Sequence, residues 1–332
     1  MDDESSRCDI PGCTFRDECK LSYQYLEKIT NNFSTERELG AGGFGVVYKG
    51  LLPNGELIAV KKINPLTPGS GKQFENEVHH LLSLNHPNIV RCVGYCYETQ
   101  HLRLKYEGKY IFIEASERLL CLEYMPKGSL DYHLADESHG LDWHKRYNII
   151  SGICYGLHYL HEEWQVNTPI VHLDLKPANI LLGDDMLPKI ADFGLSRLFS
   201  AQQTRVHTEN SDGTRGYMAP EYINHGTITT KSDIFSLGVI IIQIITGYRK
   251  YPSPFDTELS YHDFIELVLE KWKKRLGAAA LETDYQQIRS CLEMALSCME
   301  TDPMKGRQQR KFSRSLVDGD APISMLVVLK DH

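Results

Sequence analysis

Two neighbouring stretches decide the fold: residues 171–182 read VHLDLKPANILL, and residues 189–194 read KIADFG. Working outward from them, a glycine-rich segment and a strand lysine lie upstream, and the triplet Ala219-Pro220-Glu221 lies downstream. Before Gly128 the chain reads mainly as short β-rich segments, and after it mainly as helices. This order favours two lobes that differ in secondary structure.

The upstream segment Leu39–Val47 reads LGAGGFGVV and contains the spacing G-x-G-x-x-G. Dinucleotide-binding folds share this spacing, but in them a helix follows the glycines. Here Val46-Val47-Tyr48 continues as a strand, which favours a hairpin over triphosphate oxygens, where a Cβ would collide with the phosphates. By itself the motif still leaves an ordinary glycine-rich turn open.

The strand lysine is Lys61, at the end of Ala59-Val60-Lys61. Such a lysine can neutralise phosphates if a carboxylate holds it in place. Glu77, on a helix predicted from Lys72 to Leu84, is the candidate partner. An isolated strand lysine is usually an ordinary surface residue, so this assignment depends on the motifs around it.

Together these motifs resemble the eukaryotic protein kinases, whose signature runs H-R-D-x-K-x-x-N and then D-F-G. The resemblance implies an α+β, bilobal protein kinase fold, with a small β-rich N-lobe that carries one key helix and a larger, mainly helical C-lobe. Along the sequence we expect a polar N-terminal leader at 1–33, the N-lobe at 34–123, the C-lobe at 124–305 and a divergent C-terminal tail at 306–332.

The resemblance also assigns catalytic roles. Asp174 would accept a hydrogen bond from the substrate hydroxyl and orient it, and Lys176 would neutralise the transferred phosphate. Thr214 would hydrogen-bond both of them, while Lys61, held by Glu77, would bind the α- and β-phosphates. Lysine two residues after the aspartate is typical of the serine/threonine branch, so protein serines and threonines are the expected acceptors.

The implied cofactors are ATP and Mg²⁺, with Mn²⁺ as an alternative metal. Asn179 and Asp192 are the expected metal ligands, because their hard oxygens suit Mg²⁺. The residues expected to surround the nucleotide are Leu39, Gly40, Ala41, Gly42, Gly43, Phe44, Gly45, Val46, Val47, Ala59, Lys61, Glu123, Met125 and Leu181.

Other stretches resemble the plant receptor-like kinases and their Pelle-type relatives, among them KITNNFS at 28–34, HPNIV at 86–90 and EYMPKGSL at 123–130. The resemblance implies protein substrates and a membrane receptor complex as a further partner. Leu173 stands where the family usually has an arginine that pairs with an activation-segment phosphate. We therefore expect a non-RD kinase, in which phosphorylation of Thr204, Thr208 or Ser211 is not the obligatory switch.

Composition excludes some classes of function. The 332 residues carry a net charge of −8, which argues against a nucleic-acid binder. The start of the chain lacks the features of a secretory signal, and the longest apolar run, Leu237–Ile245, is shorter than the roughly 20 residues that cross a bilayer. We expect the receptor-like cytoplasmic form, in the cytoplasm or at the inner face of the plasma membrane, or else a fragment of a longer receptor. The nine cysteines are expected to be free thiols.

The C-terminus departs from the family. Arg307 is the expected stand-in for the arginine that pairs with Glu221, and residues 311–332 resemble nothing in the family. This leaves a pseudokinase scaffold, which binds ATP or partners without efficient catalysis, as the alternative function. Against it, the expected catalytic and metal-binding residues are all present.

Overall fold

The computed structural model describes residues 19–106, 109–134, 141–165, 168–199, 205–208, 211–247, 260–277 and 281–300. These residues belong to two compact units. The N-terminal unit ends at Met125, and the C-terminal unit starts at Pro126 and also includes His86–Ile89. The first unit is built on an antiparallel sheet and the second mainly on helices, so the predicted α+β kinase fold is confirmed.

The N-terminal unit has five antiparallel strands in the order β1-β2-β3-β5-β4. Its elements are α1 (Tyr23–Ile29), β1 (Glu38–Gly42), β2 (Gly45–Leu51), β3 (Leu57–Ile63), α2 (Ser70–Ser83), β4 (Cys92–Tyr106) and β5 (Lys109–Glu123). The turn between β2 and β3 forms as the sequence Pro53-Asn54-Gly55 predicts, with the Glu56 amide donating to Asn54 Oδ1 at 3.0 Å. The predicted helix beginning at Lys72 is confirmed as α2, which starts two residues earlier.

The sequence predicts an elongated hairpin loop at 98–108; the hairpin forms, but the described part of this tract is strand rather than loop. Strands β4 and β5 pair without interruption from Glu98 opposite Glu117 to Tyr106 opposite Lys109. Strand β3 pairs with β5 only over Leu119–Glu123, so the rest of the pair forms a two-stranded ribbon that continues past the sheet. The polar sequence of this tract hides such a ribbon, because the backbone hydrogen bonds between two paired strands can form whatever the side chains are.

The C-terminal unit contains six helices and six short strands within the described residues. They are α3 (Leu130–Leu134), α4 (Trp143–His158), β6 (Ile170–Val171), β7 (Ile180–Leu182), β8 (Pro188–Ile190), β9 (Arg197–Leu198), β10 (Val206–His207), α5 (Pro220–His225), β11 (Thr227–Ile228), α6 (Thr230–Thr246), α7 (Tyr261–Leu276) and α8 (Glu282–Met299). The helices predicted within Leu141–Glu163, Lys231–Thr246, Asp263–Lys274 and Tyr285–Met299 are confirmed as α4, α6, α7 and α8.

Helix α6 is the central element of this unit. A capping box at Thr229 and Ser232 begins it, and Gly247 ends it with a positive φ of 77°. From Leu237 to Ile245 its residues are apolar except for Gln243, and all of them are buried, as expected for a helix surrounded by protein. Helix α8 packs closely on it at Gly238, where an added Cβ would lie 2.7 Å from the Ala295 carbonyl oxygen.

No helix within the described residues is long and apolar enough to span a membrane. None of the seven cysteines that fall within these residues forms a disulfide. Burial raises the pKa of Cys92 and of Cys96 to about 12, which makes both thiols poor nucleophiles. The other two, Cys8 and Cys13, lie outside the described residues.

The contact between α6 and α8 predicts the effect of Gly238→Ala. The added methyl group would overlap the α8 backbone, so the free energy of unfolding should fall by about 1–3 kcal/mol, measured by urea denaturation. Gly71→Ala is the matched control in α2, because its added methyl meets only the Arg118 guanidinium, at 3.5 Å. That variant should be neutral or stabilised by about 1 kcal/mol; equal losses in both variants would contradict this account.

Candidate active site

The catalytic residues predicted in the C-terminal unit lie together. Lys176 Nζ donates to Asp174 Oδ2 at 2.7 Å and to Thr214 Oγ1 at 2.8 Å. The Thr214 hydroxyl in turn donates to Asp174 Oδ1 at 2.7 Å. Both carboxylate oxygens of Asp174 are therefore held in place, with a lysine ammonium beside them. Such a group can orient a hydroxyl and stabilise charge that develops on a phosphoryl group.

Asn179 connects the cluster around Asp174 to Asp192. Its Nδ2 donates to Asp174 O at 2.8 Å and to Asp174 Oδ2 at 3.1 Å, which leaves its side-chain oxygen as an acceptor. The Asn179 carbonyl accepts from the Ala191 amide at 2.9 Å, and Ala191 directly precedes Asp192. The two predicted metal ligands are thus linked through the backbone.

This donor set fits a magnesium ion that is shared with a nucleotide. Among the described residues, His, Cys, Asp and Glu side chains form no cluster of three that could hold a metal ion by themselves. Mg²⁺ is ordinarily held by one or two carboxylates together with substrate phosphates and water. One carboxylate from Asp192 and one amide oxygen from Asn179 match that pattern.

Asp233, near the start of α6, holds the catalytic loop, which we define as residues 172–179. Its carboxylate is fully buried and accepts from the backbone amides of His172 at 2.7 Å and Leu173 at 2.8 Å. His161 Nε2 is a third partner, at 3.0 Å. From the sequence, Asp233 at the start of the apolar helix is expected to accept hydrogen bonds from the catalytic-loop backbone, although an ordinary acid at a helix N-terminus would give almost the same pattern. The two amide contacts confirm the acceptor role, whereas His161 was missed. A single histidine in an apolar helix pattern gives no signal for this contact.

Two backbone positions in the site adopt a conformation that is unusual for residues other than glycine. Leu173 and Asp192 both have φ of 68°, a left-handed region that costs on the order of 1–3 kcal/mol per residue. The hydrogen bonds from the His172 and Leu173 amides to the Asp233 carboxylate hold the backbone at Leu173. The Phe193 ring, fully buried and 4.9 Å from the His172 ring centroid, anchors the turn after Asp192.

In the N-terminal unit, Lys61 and Glu77 form the ion pair that the sequence predicts. Lys61 Nζ lies 3.1 Å from Glu77 Oε1 and 2.8 Å from Oε2, and the Glu77 side chain is only 2% exposed. Strand β3 supplies the lysine, and one face of α2 supplies the carboxylate. A buried glutamate requires such a partner, so the pair holds α2 in register with β3.

The glycine-rich segment forms the β1–β2 hairpin, in which Gly42 is paired with Gly45. An added Cβ at Gly40, Gly42 or Gly43 would meet nothing within 4 Å, whereas one at Gly45 would overlap the Lys62 carbonyl. Packing therefore explains the requirement for glycine only at Gly45. The other three glycines leave bare backbone facing open space, as a segment that lies over phosphates needs.

The remaining residues expected around the nucleotide are distributed over both units. The first unit contains Leu39 on β1, Val47 on β2, Ala59 on β3, Glu123 at the end of β5 and Met125 two residues after it. Leu181 lies on β7 of the second. The Glu123 side chain is already engaged, because its Oε1 accepts from the Arg91 amide at 2.7 Å.

Sequence reasoning also missed the anchor of the segment that carries Thr214. Tyr217 donates its hydroxyl hydrogen to Gln243 Oε1 at 3.0 Å, and its carbonyl accepts from Ser236 Oγ at 2.6 Å. Both partners lie on α6. Gln243 was the available signal, since a buried polar residue in an apolar helix needs a hydrogen-bond partner.

The family model of the protein kinase domain matches residues 33–310. With the fold and the residue cluster around Asp174, this match defines the class: the chain belongs to the protein kinase domain family.

Within that family the chain is homologous to plant receptor-like kinases. It is 37% identical to cysteine-rich receptor-like protein kinase 25 of Arabidopsis thaliana over 307 residues, which are 90% of this chain and 42% of that protein. It is 39% identical to cysteine-rich receptor-like protein kinase 29 of the same plant over 289 residues, covering 84% of the chain and 40% of the relative. The chain thus spans about two fifths of the length of these relatives.

The geometry around Thr214 predicts that its hydroxyl is needed for phosphate transfer. Thr214→Val keeps the shape but removes the bonds to Asp174 and Lys176, so kcat for a peptide substrate should fall by about 10- to 100-fold. Thr214→Ser, which retains the hydroxyl, should keep most of the activity. Thr246→Val, at the far end of α6, is the matched control and should leave kcat unchanged. Equal activity in the two valine variants would contradict the role of Thr214.

Proposed function

We propose that this chain is an active serine/threonine protein kinase that transfers the γ-phosphate of Mg-ATP to hydroxyls of other proteins. One observation carries the proposal: Asp174, Lys176 and Thr214 form a closed hydrogen-bonded cluster with distances of 2.7, 2.8 and 2.7 Å. A lone aspartate on a buried loop would need no such arrangement. Membership of the protein kinase family supports it.

Each group has a task in this reaction. Asp174 orients the acceptor hydroxyl and takes up its proton as the oxygen attacks the γ-phosphorus and the bond from that phosphorus to the β-phosphate oxygen breaks, which releases ADP. Lys176 offsets the charge on the transferred phosphoryl group. Lys61, held by Glu77, binds the α- and β-phosphates. Asn179 and Asp192 would hold Mg²⁺, or Mn²⁺ as an alternative, which supplies charge neutralisation for the phosphate oxygens when bound.

The preference for serine and threonine rests on Lys176 and on the Thr214 segment. Lys176 occupies the position that resembles the serine/threonine branch, and its contact with Thr214 connects the catalytic loop to the segment expected beside the acceptor residue. The names of the relatives support plant receptor-linked signalling. We place the chain in the cytoplasm or at the inner face of the plasma membrane, with protein substrates and a receptor complex as partners.

The alternative is a pseudokinase scaffold, and the divergent tail is the feature that favours it. Arg307, the expected partner of Glu221, lies outside the described residues. Loss of that pairing would weaken the C-lobe, because Glu221 is only partly exposed and a carboxylate shielded from water without a partner is costly. The two functions differ in whether phosphate is transferred at all, so an assay of the catalytic aspartate separates them.

The deciding experiment compares wild type with Asp174→Asn, using Mg-ATP and a library of serine, threonine and tyrosine peptides. We expect transfer to serine and threonine peptides by wild type, and a loss of about 10²- to 10⁴-fold in the variant. Asp184→Asn changes an exposed aspartate of the same unit and should have full activity. Equal, background-level labelling by wild type and Asp174→Asn would favour the scaffold.

We also propose that loop phosphorylation is not the obligatory switch, and the surroundings of Leu173 support this. Its buried side chain belongs to an apolar cluster that includes Leu195, Phe199 and Met218 from the activation segment, which we define as residues 192–221. Apolar packing can hold that segment where a phosphate–arginine pair would otherwise be needed. The pairing of β10 with β11 holds the segment further.

A combined variant tests this regulation. Phosphatase-treated protein carrying Thr204→Ala, Thr208→Ala and Ser211→Ala should keep kcat for a peptide within about threefold of wild type, because no phosphate is part of the apolar cluster. Thr204 lies outside the described residues and is included because the sequence singles it out. If this variant is inactive while wild type regains activity by autophosphorylation, loop phosphorylation is the obligatory switch and the proposal is wrong.

A further inference from the structure

Residues 19–33 precede nearly all of the region that matches the kinase family, yet they are part of the N-terminal unit. Leu26 and Ile29 of α1 are buried in one apolar cluster with residues of the sheet, namely Leu52, Ile58, Val60, Cys96, Leu119 and Cys121. This packing accounts for the apolar spacing in α1. The predicted division between leader and N-lobe at residue 34 stays a prediction, but residues 19–33 share the hydrophobic core of that lobe.

The same segment is attached to the edge strand β4. The Leu21 amide donates to the Tyr95 carbonyl at 2.8 Å, and the Tyr23 amide donates to Glu98 Oε1 at 3.1 Å. The approach at Gly94 is so close that an added Cβ would lie 2.7 Å from the Cys19 carbonyl oxygen. The segment is therefore held by hydrogen bonds as well as by apolar burial.

The contact with the most bearing on the site is made by Lys62. Its Nζ donates to Tyr23 Oη at 3.0 Å and lies 3.2 Å from Glu117 Oε2. The same Nζ lies 4.9 Å from the Tyr23 ring centroid and 4.6 Å from that of Phe33. We call Lys62, Tyr23, Phe33 and Glu117 the Lys62 clamp.

The charge state of Lys62 agrees with this geometry. Burial alone lowers the pKa of Lys62, but the hydrogen bond with Tyr23 and the negative charge of Glu117 outweigh burial. The pKa therefore lies above its ordinary value. A protonated lysine beside aromatic rings gains cation–π attraction, which strengthens as water is excluded.

The clamp acts on the strand that carries the phosphate-binding lysine. Lys62 directly follows Lys61 on β3, and successive side chains of a strand point to opposite faces. Lys61 contacts Glu77 on one face, while Lys62 contacts the N-terminal segment on the other. Both lysines pair through their backbones with the hairpin strand β2, opposite Val47 and Val46. Strand β3 is thus fixed by charged contacts on both faces.

We propose that Lys62 is a positioning residue for Lys61, and that the segment 19–33 is, through the clamp, a working part of the nucleotide-binding unit. The inference rests on the proposed function, in which Lys61 binds ATP phosphates. The clamp holds β3 at the rotation that directs Lys61 toward Glu77. Loss of the clamp therefore weakens ATP binding more than it slows phosphate transfer.

The test measures KM for ATP, kcat at saturating ATP, and the urea unfolding midpoint for Lys62→Met and Lys62→Arg in the full chain. Lys62→Met should raise KM for ATP about 3- to 10-fold, the size of one or two lost cation–π contacts, with kcat within about twofold of wild type. Lys62→Arg should stay near wild type, because a guanidinium also donates hydrogen bonds and stacks on aromatic rings.

Three further variants keep the outcome interpretable. Lys28→Met removes an exposed lysine from α1 of the same segment and should leave KM unchanged. Tyr23→Phe keeps the ring but removes the hydroxyl, so it should raise KM by less than Lys62→Met does. It tests the clamp independently if Lys62→Met folds poorly. Lys61→Met tests the proposed function alone: undiminished activity in that variant would refute the role of Lys61.

If Lys61→Met is inactive while Lys62→Met has the KM of Lys28→Met, the clamp proposal is overturned and the proposed function stands. A fall in kcat and in the unfolding midpoint with unchanged KM, in both Lys62→Met and Lys62→Arg, would also overturn it, because that pattern indicates a structural role only.

Discussion

The catalytic centre depends on one buried carboxylate. Asp233 has no exposed surface, and it is tolerated there because three donors face it: two consecutive backbone amides of the catalytic loop and His161 Nε2. A charge buried without such partners would cost several kcal/mol. The same bonds hold Leu173 in a left-handed conformation, which directs the next residue, Asp174, toward Lys176 and Thr214. The capped start of α6 thereby sets the geometry of the whole loop.

A similar principle governs the N-terminal unit, where buried charges fix the elements that carry them. Lys61 and Glu77 bind α2 to one face of β3, and Lys62 binds the N-terminal segment to the other. Both lysines belong to the same short strand, so each side constrains the rotation available to the other. The glycines of the hairpin differ from these residues, because three of them have no packing contact that requires glycine. Rigid charged residues and bare backbone therefore lie side by side, as phosphate binding requires.

Leu173 connects the chemistry with its regulation. Its amide is bound to Asp233, and its side chain lies in the apolar cluster with Phe199 and Met218. One residue therefore contributes both to the catalytic loop and to the docking of the activation segment. Apolar packing needs no added phosphate, and this is the physical basis of the proposal that loop phosphorylation is not the obligatory switch. The homology to plant receptor-like kinases places this arrangement in a family whose longer members contain more than this chain spans.

The sequence by itself determined the kinase fold, the pairing of Lys61 with Glu77 and the acceptor role of Asp233, because the motifs that carry these residues resemble those of the protein kinases and appear in the same order. The tertiary structure alone decided what depends on distant partners. His161 meets a residue 72 positions away, and neither its own residue type nor its neighbours indicate that partner. The β4–β5 ribbon escaped prediction because backbone pairing is indifferent to side-chain polarity. The N-terminal segment likewise reads as a polar leader with one amphipathic stretch, Tyr25–Phe33. Only the packed structure shows that Leu26 and Ile29 of this stretch join the core of the lobe and that Tyr23 contacts Lys62, because those partners lie far away along the chain.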